Sequence, residues 1–539
     1  MASEGAQRRR WIHDNFQKGE CDYLLDRELL REKSWTRQNI SAAEFWSEPL
    51  PNTSHNAVSS GSTASPPNSP MLRKWLHTCD KNHTECHRQS GKENFWPKRV
   101  IFVGDPNKLS LVEGQPQRDD YLVLSHCWGR PTPEEKERYC TTRENYLDRL
   151  QGFSFDELPK TFQDAVQVTR ALQKQYLWID ALCIIQGPDG DWDSEAKTMA
   201  DIFACAYCTI AASSARGWGD GFLEPLPDPR GIGVRGTPST PTCACDFDKD
   251  VEEGALMKRA WVLQERVLSR RIIHFTAAHT YCECGQGILC EHFTKLEPPF
   301  GKRQYFILDP SFPGRLNMSG FRRTVDFIQF LFRKYSASCL TFETDRDVAI
   351  YSLVERIGQV LRTEVRYGIF RCFLGSLLLW KRTCENNTSP IPYEKRTVPS
   401  WSWMAYSGGI DFVSDAMLNF MVPCFEDLGF AKDGQALSVK VRKFHGNCRM
   451  EEKEEEHAIF DGTEKVGSLW FDVAGQIQFE NCNCVVVGIR EDDEKEDAWK
   501  TYHILMIREK AGGGGYERVG VGKVEARYVS IDCDAGMLW

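Results

Sequence analysis

Tyr121-Leu-Val-Leu-Ser-His-Cys-Trp-Gly129, Tyr176-Leu-Trp-Ile-Asp-Ala-Leu-Cys-Ile-Ile-Gln186 and Asp191-Trp-Asp-Ser-Glu-Ala-Lys-Thr-Met-Ala-Asp-Ile-Phe203 decide how this chain folds. The first is a short apolar run that ends in polar residues. In the second, Tyr176 to Ile179 and Cys183 to Ile185 form an almost continuous run, as a strand covered on both faces would. Between these two, apolar residues at 158, 162, 165, 166 and 172 keep helical spacing, and Pro159 suits a first helical turn. In the third stretch Trp192, Ala196, Met199, Ala200 and Phe203 fall on one face of a helix, and Cys208 to Ala212 reads as the next strand. Strands alternating with helices imply right-handed parallel crossovers, so the expected fold is α/β, a doubly wound parallel sheet with flanking helices. Ligands bind such sheets at the carboxyl ends of the strands, which gathers His126, Trp128, Asp180 and Glu195 into one expected pocket.

Working outward, residues 1–46 form a charged, partly helical segment, and 47–70, rich in Ser, Pro, Asn and Gly, form a disordered linker. Such a composition buries too little apolar surface to offset the entropy of ordering. The α/β domain is assigned to 71–290, with its core signatures at 121–266. A mainly helical region at 291–396 follows, where Phe321, Val325, Ile328 and Phe332 keep helical intervals. From 397 to 539 the period falls to two, in Val466-Gly-Ser-Leu-Trp-Phe-Asp-Val473, Cys482 to Arg490, Thr501 to Arg508 and Tyr516 to Val524, so a β-rich carboxyl-terminal domain is expected. The glycines of 511–515 lack the Gly-Lys-Ser/Thr ending of a phosphate loop and suit a hairpin connection.

Composition narrows the function classes. With 539 residues the chain exceeds one ordinary hydrophobic core. A net charge of −9 argues against nucleic acid, which demands a basic surface. The amino terminus lacks the apolar stretch of a secretory signal, and the longest apolar run, Cys372 to Trp380, is far too short to span a bilayer. Twenty-one cysteines, an odd number scattered through expected strands and helices, fit reduced thiols in a cytoplasmic protein.

Tyr121 to Gly129, Leu158 to Gln186, Asp191 to Ala212 and Arg259-Ala-Trp-Val-Leu-Gln-Glu-Arg266 together closely resemble the fungal heterokaryon incompatibility (HET) domain. Trp75 to Cys86, Thr344 to Leu353 and Pro399 to Gly409 resemble what accompanies that domain. The resemblance implies a role in fungal non-self recognition and programmed cell death, and an incompatibility partner that the sequence does not identify. HET domains in turn resemble Toll/interleukin receptor (TIR) domains, whose sheet is parallel and flavodoxin-like. That second likeness implies a homo-oligomer or TIR/HET-type assembly. It also places at Glu195 the carboxylate that supports NAD cleavage in enzymatic TIR domains, with NAD a substrate and no tightly bound cofactor.

The chemistry also stands on the residues. Nicotinamide, bonded as a positively charged pyridinium, departs as a neutral molecule with little acid help, and a carboxylate near the ribose stabilises the oxocarbenium that remains. Glu195 borders the apolar stripe of its helix and suits that task. Trp128 and Trp192 could stack on a base, and His126 and Asp180 could hold ribose. Each has a plain structural reading as well: Glu195 complements a helix dipole, Asp180 caps a turn, and the tryptophans pack. His126 and Cys127, adjacent at a strand end, point to opposite faces and make a poor nucleophile and base pair. Cys79, His83 and Cys86 are spaced to offer three zinc ligands. A fourth among Cys282, Cys284, Cys290 and His292 is too distant in sequence to place, so no metal is assigned.

Overall fold

The computed structural model describes residues 36–47, 69–86, 95–114, 119–224, 245–297, 313, 316, 320–383, 389–394, 397–413, 421–423, 428–444, 448–451, 456–473, 482–490 and 500–539. The linker expected at 47–70 lies almost wholly outside them, as do most of the acidic runs near 452 and 491. The chain divides into two compact units, Leu25–Arg315 and one built on Leu316–Trp539. Among the described residues, no helix is long and apolar enough to cross a membrane.

The first unit holds a ten-stranded sheet. In chain order its strands are β1 (Thr36–Asn39), β2 (Arg99–Phe102), β3 (Ser110–Glu113), β4 (Tyr121–Ser125), β5 (Tyr176–Trp178), β6 (Cys208–Ala211), β7 (Arg271–Phe275), β8 (Thr280–Cys284), β9 (Gly287–Cys290) and β10 (Thr294–Glu297). Across the sheet they run β1-β10-β9-β8-β7-β6-β4-β5-β2-β3. Only the four central strands are parallel: β4 with β5, β4 with β6, and β6 with β7. The sheet is therefore mixed, not the wholly parallel one that strand and helix alternation predicts. The physical reason lies in the connections. A parallel neighbour needs a crossover of a dozen residues or more, whereas the short turns between β7 and β8 and between β8 and β9 leave room only for hairpins.

Helices supply the crossovers. Of those that matter for the site, α1 (Ser69–Asn82) precedes β2, α2 (Lys160–Ala171) leads into β5, α3 (Trp192–Glu195) and α4 (Met199–Cys205) lead into β6, and α5 (Ala260–Leu268) leads into β7. Pro159 caps α2 with extended backbone, and Phe162, Ala165, Val166 and Val168 are buried along it. The single helix expected across Trp192 to Phe203 is broken into α3 and α4 by a turn at 196–198, where the Thr198 hydroxyl donates back to the Glu195 carbonyl. The apolar run Cys183 to Ile185 does not continue β5 either. Asp180 accepts from the backbone N–H of Ala181, and Asp180–Cys183 forms a helical turn instead. All five residues of β4 and all three of β5 are buried, which explains why their sequences are apolar without alternation.

The second unit carries helices Phe321–Ser336 and Val348–Val360 and a β-rich carboxyl-terminal region. Thr501–Glu509 pairs antiparallel with both Asn483–Arg490 and Tyr516–Glu525, so the glycines at 512–515 do sit in a hairpin connection. Its interior combines Trp380, Trp401 and Trp403, all fully buried, with a buried ion pair between Arg518 and Asp472.

Candidate functional site

Ser125 closes β4, Asp180 lies just after β5, and Ser213 lies just after β6, so the polar residues at the ends of three parallel strands share one edge of the sheet. There His126 is buried, with its ring edge-on to Phe162 of α2 at 5.1 Å. Burial lowers its pKa to about 4, against the opposing pull of Asp180 and of the Leu124 backbone. The imidazole is therefore neutral at physiological pH. Its Nε2 has no hydrogen-bond partner and lies 3.8 Å from Asp180 Oδ1.

Asp180 is held from two sides. Trp128 donates its indole N–H to Oδ2 at 2.8 Å, and the Ala181 amide donates to Oδ1 at 2.7 Å. Trp128 in turn packs on Trp218, with ring centroids 5.2 Å apart. In the tautomer protonated at Nδ1, Nε2 and the carboxylate oxygen are both acceptors, so between them they call for an O–H or N–H donor. Three of the four pocket residues expected from sequence, His126, Trp128 and Asp180, thus come together.

Glu265 on α5 joins them. Its carboxylate is buried and accepts from the Ser125 hydroxyl at 2.5 Å. Burial raises its pKa to about 7, against the hydrogen bond from Ser125 and the nearby Arg259. Arg259, just before α5, donates to the His126 carbonyl. In the sequence, Gln264 and Glu265 fit a bridge to the pocket and a solvated helix face equally well. The signal in the sequence is that Ala260, Trp261, Val262, Leu263, Val267 and Leu268 leave α5 hardly any such face, and eight of its nine residues are buried. A further buried chain, unforeseen in the sequence, runs from Ser213 through His274 and Glu283 to Arg266.

Glu195 stands apart from this group. Its charged neighbours are Lys98, 3.9 Å away, with Arg99 and Asp191. Arg99 pairs with Asp191 at 2.5 Å and donates to the Cys183 carbonyl at 2.7 Å, tying the loop after β5 to β2. Burial raises the pKa of Glu195, and Arg99 and Lys98 oppose the rise. Because β2 runs antiparallel to β5, Lys98 and Arg99 lie at the same edge as Asp180, one strand over. Trp192 packs edge-on against Trp261 of α5 at 5.5 Å.

Cys127 turns the other way from His126, packing with Ala211, Phe247 and Met257, and burial raises its pKa. The pair is divided as strand geometry requires. Of the thiols and imidazoles weighed as zinc ligands, Cys79, His83, Cys86 and Cys284 come together.

Residues 121–265 match the heterokaryon incompatibility protein (HET) family. The HET match starts at the first residue of β4 and ends at Glu265, so it takes in His126, Trp128, Asp180, Trp192, Glu195 and Arg259 while leaving Lys98 and Arg99 outside. It covers the four parallel strands only as far as β6. No curated protein and no solved structure matches the chain.

Proposed function

We propose that this chain acts in fungal heterokaryon incompatibility as a death effector, and that its first unit binds and cleaves NAD at the edge formed by β4, β5 and β6. The observation that carries the ligand reading is the buried, unpaired Nε2 of His126 facing Asp180 across 3.8 Å. A ribose hydroxyl supplies the donor that two acceptors need. The order of the parallel strands supports the same reading. Numbered among themselves in chain order they run 2-1-3-4, as in flavodoxin-like sheets, whose ligands sit at the switch point between the first and third. Here that point lies between β4 and β6.

In this reading Asp180 and His126 hold the ribose, Trp128 or Trp192 flanks a base, and Glu195 reaches the ribose along the end of β5. The bond between ribose C1′ and the pyridinium nitrogen breaks, and its electron pair leaves with nicotinamide. The carboxylate of Glu195 stabilises the positive ribose until water adds to C1′ and releases a proton, giving ADP-ribose.

A second reading, a non-catalytic module that oligomerises and recruits other effectors, is favoured by one observation. Glu195 already faces Lys98 beside the Arg99–Asp191 pair, as a residue that fastens α3 would. Expression in a fungal host separates the two. Catalysis predicts that the full-length chain kills while cellular NAD falls, and that Glu195→Ala does neither. Killing by Glu195→Ala with NAD intact overturns catalysis in favour of assembly.

A further inference from the structure

Cys79 lies near the end of α1, His83 and Cys86 in the turn that follows, and Cys284 at the end of β8, some two hundred residues later. Their ligand atoms all lie within 4.8 Å of one another. Cys79, Cys86 and Cys284 are buried and His83 is half-buried, and the three sulfurs are close enough to hydrogen-bond among themselves. Three soft sulfurs and one imidazole are the donor set of a closed structural zinc site, and a four-ligand set leaves no open position for a substrate.

The geometry points to a Cys3His zinc site that clamps α1 to β8. Tetrahedral zinc with Zn–S of about 2.3 Å and Zn–N of about 2.05 Å sets a sulfur to nitrogen edge of about 3.6 Å. The Cys284 sulfur lies 3.6 Å from Nδ1 of His83. The surroundings are those of a supported thiolate cluster. Arg270 donates to the Cys86 carbonyl at 2.9 Å, and Arg271 pairs with Asp80, next to Cys79, at 2.5 Å.

Location sets the role. Cys284 pairs with Arg271 at the amino-terminal end of β7, whereas His126 and Asp180 follow the carboxyl-terminal ends of β4 and β5. The cluster therefore stands at the opposite edge from the proposed NAD site and serves the fold. It makes Trp75 to Cys86, which lies ahead of the HET match, a structural part of the same unit. This inference does not depend on NAD cleavage.

The test uses the full-length chain purified without a metal-chelating column. Elemental analysis is expected to find about one zinc per chain. Cys79→Ser and Cys284→Ser are expected to lower zinc content about tenfold, with Cys290→Ser, a buried thiol outside the cluster, retaining it. Because a ligand variant can fail to fold, the unmodified chain is also exchanged with Co2+, where thiolate-to-cobalt charge transfer and tetrahedral ligand-field bands are expected. A folded chain without zinc, a cobalt spectrum without thiolate bands, or the loss of two hydrogens to a disulfide among these cysteines overturns the proposal.

Discussion

His126 and Glu265 sit at the same strand end and titrate in opposite senses. Burial lowers the folded pKa of His126 from its ordinary 6.5 to about 4, so the stability it confers is complete above 6.5 and is lost as pH falls through 4. Burial raises that of Glu265 from 4.5 to about 7, so its contribution is complete below 4.5 and is lost as pH rises through 7. Between those limits the two slopes largely cancel. Above pH 6.5 only Glu265 still changes, over about half a pH unit, which is under about 1 kcal/mol. Glu265→Gln is therefore expected to flatten the loss of thermal stability between pH 6 and pH 8, read as the change in Tm across that range. An unchanged slope in the variant shows that Glu265 ionises normally.

Asp164 joins two elements of the first unit. It is fully buried on α2, accepts the backbone N–H groups of Phe222 and Leu223 at 2.7 and 3.1 Å, and pairs with Lys160 at 2.8 Å. One carboxylate thus fastens the segment after β6 to the helix that precedes β5. Asp164→Ala strands two backbone donors, a loss of about 3 kcal/mol. Hydrogen exchange is expected to quicken at Phe222 and Leu223 before it does in β4, and uniform protection contradicts the role. This scale is also where sequence reading separates from structure. The ends of β4 and β5 were legible because each apolar run meets a polar residue, His126 or Asp180, where the strand stops. The antiparallel flanks were not, because β8 and β9 carry no alternating pattern: seven of their nine residues are buried. The one available cue was Cys284-Gly-Gln-Gly287, a two-residue hairpin signal. The join of Cys284 to Cys79, His83 and Cys86 was beyond any spacing rule, since it follows from strand order.

The whole molecule contains two units, and the boundary matters for how they are separated. Ending the chain after Arg266, where the core signatures stop, would remove β7 to β10 and with them Cys284. A cut after Arg315 keeps the sheet whole. In the second unit Arg518 donates to both oxygens of Asp472 and to the carbonyls of Leu378 and Trp380, so removing its partner leaves a buried guanidinium uncompensated. Asp472→Ala is expected to cost about 3–5 kcal/mol in that unit. If the units unfold independently, calorimetry shows its transition moving down and that of Leu25–Arg315 staying in place. A single transition that shifts as one contradicts independent unfolding.

We propose NAD cleavage at the edge carrying His126, Asp180 and Glu195. The most direct measurement is nicotinamide release by the purified full-length chain, assayed across concentrations that permit assembly, alongside Glu195→Gln. Nicotinamide and ADP-ribose are expected in equal amounts from the unmodified chain, with a rate about 100-fold lower in the variant. No release by the unmodified chain at any concentration, or an equal rate in Glu195→Gln, contradicts it.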